Sequence, residues 1–89
     1  NQGAGELILE GYPNPFVERT SVRYKATGGR VILQAFTEKR QVVRTLVDQI
    51  VPTGTFTVDC DLGDMPTGVY YCRFQNMGRQ QVKSMLKVR

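Results

Sequence analysis

Apolar and polar residues alternate along most of this chain with a period of two, and turn residues separate the alternating runs. TSVRYKA (20–26) sets Val22, Tyr24 and Ala26 on one face and Arg23 and Lys25 on the other. RVILQAF (30–36) offers Val31, Leu33 and Ala35 to a core, while Ile32 and Phe36 leave the opposite face apolar too. QVVRTLVDQIV (41–51) is ambiguous, since Val43, Thr45 and Val47 compete with Val42, Arg44 and Leu46 for the inward side. GTFTVDCD (54–61) points Phe56, Val58 and Cys60 one way, and GVYYCRF (68–74) does the same with Tyr70, Cys72 and Phe74. In QVKSMLKV (81–88), Val82, Ser84, Leu86 and Val88 form the expected inward face, against Lys83, Met85 and Lys87. With LILEGY (7–12) in front, the pattern predicts an all-β chain of seven strands at the spacing of an antiparallel sandwich.

The connectors fit. Thr27-Gly28-Gly29-Arg30 is expected to be a tight hairpin, Val51-Pro52-Thr53-Gly54 a turn, and Asn76-Met77-Gly78 another. GYPNPF (11–16) adds a stiff segment. Tyr12 and Asn14 precede prolines and are pushed toward extended conformations, and Pro13 and Pro15 have no N–H to offer a ladder. The segment is therefore expected to be a rigid corner, with Tyr12 and Phe16 pinning it to the sandwich. A polyproline-type ligand is the weaker reading, because PNP lacks the PxxP period.

Length narrows the picture to one domain of 89 residues, 40% of them apolar. Asn1, Gly3 and Gly5 read as a linker (1–6), so residues 7–89 are expected to be a domain cut from a larger protein. No apolar run is long enough to span a membrane as a helix. Charge is uneven: residues 1–64 sum to −1, whereas residues 65–89 carry Arg73, Arg79, Lys83, Lys87 and Arg89 and no acid. A basic face can meet an acidic protein, a lipid or a nucleic acid, but the charge taken alone reads first as a solvated strand face whose gatekeeper cations discourage edge-to-edge aggregation; without aromatic–basic interleaving, a nucleic-acid platform is not expected.

Candidate chemistry is thin. There is no His, so neither a Ser/His/Asp set nor a zinc site with two Cys can be assembled. Asp59, Asp61 and Asp64 have the types for calcium, but sit at a strand end and turn where capping is the simpler role. Cys60 and Cys72 share the inward phase of consecutive strands, and two readings stand: a disulfide, or two small apolar fillers. No cofactor is expected, and no catalysis.

YPNPF, then Thr20 and Val22-x-Tyr24, VVRTLV (42–47), PTGVYYCRF (66–74) with Gly68 and Tyr70, and the closing KSMLKVR follow one another in an order that resembles the C-terminal sorting domain of the type IX secretion system. Immunoglobulin-like domains of the flagellar hook-cap type share parts of the pattern. Arg40 stands where the family usually has Gly, Cys60 where it has Trp, and Cys72 where an aromatic is common. The resemblance implies an immunoglobulin-like fold and a secretion signal for an upstream cargo domain. It also implies recognition by outer-membrane shuttle and translocon proteins, removal by a sortase-like peptidase, and passage through the periplasm to the cell surface or medium. Under that reading Lys83, Met85, Lys87 and Arg89 are expected as outward contacts of the last strand, with Leu86 and Val88 holding it to the core; all six form the expected recognition set. Strand addition along that edge is the expected mode. The alternatives are a spacer or carbohydrate-binding module of an extracellular enzyme, and an assembly domain.

Overall fold

A computed structural model describes residues 9–12, by backbone alone, and 14–89. The expected linker 1–6, Leu7, Ile8 and Pro13 lie outside the described residues. Five antiparallel strands form: β1 Leu9–Tyr12, β2 Arg19–Thr37, β3 Val42–Asp61, β4 Gly68–Asn76 and β5 Arg79–Lys87. β3 lines one side of β2 along nearly its whole length. The other side of β2 takes β1 against Ser21–Tyr24 and β4 against Val31–Thr37, and β5 completes the sheet beside β4.

The seven expected strands are five because two expected turns are not turns. The β2–β3 register runs straight through both sites, with Thr27 opposite Thr53 and Gly29 opposite Val51. Between Thr27 and Gly29 just one opposed pair, Gly28 and Pro52, drops out of the ladder, as the missing Pro N–H requires. What happens there is a rollover of the ribbon. Thr20, Val22, Tyr24 and Ala26 are buried before it, and Val31, Leu33 and Ala35 after it, so the inward face passes from even to odd positions. Gly28 and Gly29 permit this by adopting φ of +89° and +87°, a region costly for any residue with a Cβ.

One core thus receives side chains from both halves of the ribbon, together with Phe16, Cys60, Leu62, Tyr70, Cys72, Phe74 and Met85. Tyr24 from before the bend meets Phe74 of β4 with ring centroids 5.3 Å apart, which brings the two walls into contact. Asn76 holds the bend from inside. Its Oδ1 accepts from the Thr27 N–H (2.9 Å) and hydroxyl, and its Nδ2 donates to the carbonyls of Gly28 and Arg30.

The ambiguity of 41–51 also has a structural cause. Register shifts between Leu33 and Gln34 and between Ala35 and Phe36 leave Leu46 and Val43 as extra residues on β3. Two bulges in five residues break the two-residue period from which a face is read.

Candidate recognition surface

β5 is fixed by the β4–β5 hairpin, whose register pairs Asn76 with Arg79 across a two-residue turn at Met77-Gly78. Directly opposed residues of an antiparallel pair face the same side. Tyr70, Cys72 and Phe74 point inward, so their partners Met85, Lys83 and Gln81 share that side. The expected facing of the last strand is therefore inverted. Met85 is 1% and Lys87 8% exposed, whereas Leu86 is 42% exposed. Lys83 shares the inward side yet stays exposed, Arg89 is exposed, and Val88 is half-buried. Hairpin arithmetic from Asn76 would have given this phase; side-chain character, with lysines alternating against Val82 and Leu86, pointed the other way.

The outer edge of β5 is partly taken, and by the proline motif. Asn14 donates its side-chain amide to the Ser84 carbonyl (3.2 Å) and accepts from the Leu86 N–H at Oδ1 (3.0 Å). The Phe16 N–H then donates to the Leu86 carbonyl (2.9 Å), and the Val88 N–H donates to the Phe16 carbonyl (2.7 Å). Phe16 thereby makes a parallel bridge with Lys87, which is itself paired with Gly68 at the start of β4. The Asn14–Pro15 peptide is cis. Pro15 is exposed and Phe16 buried at 1%, so the corner is a clasp, pinned by Phe16 and bonded to the last strand, while the side chain of Tyr12, the other expected pin, lies outside the described residues. Alternation along β5 leaves the main-chain groups of Gln80 and Val82 facing away from β4, with no strand partner among the described residues.

Two further motif residues close the fold. The Tyr70 hydroxyl donates to the Pro66 carbonyl (2.5 Å), the arrangement of a tyrosine corner in immunoglobulin-like domains. Arg44 of VVRTLV ties β3 to the loop beyond its far end: Nε donates to the Asp61 carbonyl (3.1 Å), and Nη2 pairs with the Asp64 carboxylate. The three aspartates are separately engaged, Asp59 by the Ser21 hydroxyl and Asp61 by the Gly63 N–H. Among the described residues no group of three potential metal ligands gathers.

Cys60 and Cys72 are free, buried thiols. Burial pushes Cys60 up to about 11, with Asp61 adding to the rise and Arg44 opposing it. Burial likewise raises Cys72 to about 12, helped by the negative charge a Cys60 thiolate would carry.

The family model described as the secretion system C-terminal sorting domain matches residues 10–88. The chain belongs to the type IX sorting-domain family. No curated protein and no solved structure matches it. Sorting domains of this family are not catalytic; membership implies interaction with the type IX machinery and export to the cell surface or medium. The match spans both the clasp and the strand it holds.

Proposed function

We propose that this sorting domain is the address by which an upstream cargo passes from the periplasm through the outer membrane. In this reading, shuttle and translocon proteins recognise the folded domain, and a sortase-like peptidase cuts on its N-terminal side. The carrying observation is the union of motif and tail: Asn14 and Phe16 are bonded to Ser84, Leu86 and Val88. A signal that must work behind unlike cargoes has to be self-contained, and the clasp makes the boundary segment and the last strand one unit.

Of the recognition set, the exposed Lys83, Leu86 and Arg89 supply the contacts, Lys83 and Leu86 from opposite sides of the strand, while Met85, Lys87 and Val88 hold it in place. The clasp occupies the outer edge of β5 from Ser84 to Val88, so strand addition would have to use the main-chain groups of Gln80 and Val82, beside β1. The test is a periplasmic reporter carrying this chain at its C-terminus, in a bacterium with the export machinery. Secretion is expected with the domain and not without it; equal secretion of both fusions would refute the reading.

A further inference from the structure

The rollover at Gly28 turns the even positions of β2 outward, and with β4 and β5 they make a second surface distinct from the clasped edge. At one end is a depression of about 450 Å³ whose lining includes Phe36, Val42, Tyr71, Arg73, Gln80 and Val82. Phe36 and Tyr71 stack with centroids 5.7 Å apart at 27°, and the Arg73 guanidinium carbon lies 5.5 Å from the Phe36 centroid. Arg73 Nη2 donates to Gln34 Oε1 (3.2 Å), while its buried Nε has no acceptor. A second depression of about 290 Å³ shares Gln80 and continues along the strands to Arg30 and Arg79.

We infer that this groove docks an acidic, extended segment of a partner protein, an inference that rests on the export reading above. Three arguments support that occupant. The first is charge. Arg40, Arg73 and Arg79 have no ion-pair partner among the described residues, Arg30 is neutralised by Asp48 at 2.9 Å, and Glu38 is the one acid lining the groove. A cationic, partly desolvated cleft favours an anionic ligand.

The second is repeat. Tyr71, Arg73 and Gln75 lie outward at two-residue steps of about 7 Å, the spacing of side chains on one face of an extended peptide. From Phe36 to Arg30 the groove is roughly 20 Å long, enough for about six such residues. The third is the mixed lining, since Val42 and Val82 stand about half exposed between the cations and suit apolar residues alternating with acids. The two rings are spent on each other and on Arg73, so the groove has no open stacking platform for bases.

The test compares reporter secretion for the native sequence, a domain-deleted fusion, Arg40→Glu/Arg79→Glu, and a charge-matched control, Arg19→Glu/Arg23→Glu, on the exposed face before the bend. Urea midpoints establish that both variants fold. The groove variant is expected to lower secretion about tenfold and the control to leave it near native. Equal secretion of a folded groove variant would overturn the groove while sparing the sorting role. Failure of the native fusion to exceed the deleted one would instead remove the sorting role.

In parallel, a peptide of alternating Glu and Val is titrated into the labelled domain. It should shift the amides of Phe36, Tyr71, Arg73 and Val82 saturably, and added salt should weaken the effect. No saturable shift, or an equal footprint from phosphatidylglycerol vesicles or oligothymidylate, would refute a peptide occupant.

Discussion

Asn14 reaches across the domain to Leu86, its Oδ1 accepting the Leu86 N–H at 3.0 Å while its amide donates to Ser84 two residues earlier. One side chain thus mimics a strand on the outer edge of β5. Asn14→Ala removes both bonds and is expected to cost about 1–2 kcal/mol, since a net intramolecular hydrogen bond contributes about 1 kcal/mol. The urea midpoint measures the loss, and exchange of the Leu86 amide should quicken beyond the global change. An unaltered Leu86 exchange rate would mean that Phe16 alone holds the edge.

Asn76 is the second polar anchor, and a costlier one to lose. It is 2% exposed and satisfies the Thr27 N–H and the Gly28 and Arg30 carbonyls at the bend. Asn76→Leu would bury these groups unpaired, and a destabilisation of about 3 kcal/mol or more is expected. Chemical denaturation decides: a loss below that of Asn14→Ala would show that the glycines hold the rollover unaided.

At the β2–β3 turn, Arg40 sits at φ +66°, where the family usually has Gly. The turn has kept its left-handed geometry, braced by the Thr37 hydroxyl, which accepts from the Lys39 and Gln41 N–H groups. Arg40→Gly is expected to stabilise the domain by about 1 kcal/mol through relief of the left-handed residue. On the groove inference the same change should weaken export, so stability and secretion would move in opposite directions.

The reduced thiols predict a pH effect of definite sign. Burial raises Cys60 to about 11 and Cys72 to about 12 from an ordinary 9.0, so the folded state holds these protons more tightly than the unfolded chain. Their contribution is full below about pH 9 and is lost as pH rises through 11 to 12. The urea midpoint of the native sequence should fall more steeply between pH 8 and about 10.5 than that of Cys60→Ala/Cys72→Ala. Parallel slopes would place both thiols in contact with water.

Much of the core was legible because strands with one wet face declare themselves. Val22, Tyr24 and Ala26, Val31, Leu33 and Ala35, and Tyr70, Cys72 and Phe74 are all inward as the two-residue period requires. The bend was not legible, because Gly-Gly and Pro-Thr-Gly serve equally as hairpin tips and as places where a continuous ribbon rolls over; only the pairing of Thr27 with Thr53 distinguishes them. β3 was obscured by its bulges. In β5 residue character and hairpin register disagree, and the register wins: Met85 is committed inward by its partner Tyr70 whatever its neighbours prefer. The clasp had a visible signal in the paired prolines around Asn14, but its target lies 70 residues away, a distance over which periodicity carries no information.

That separation has a consequence for biogenesis. The ribbon can zip from the Thr37–Gln41 turn as soon as both its arms exist, whereas the latch between Asn14 and Leu86 has to wait until the chain has been synthesised through Val88. A product shortened before Ser84 would lack every bond of the latch and leave the seam open, so the two halves of the seam can join only after all the strands between them have been made.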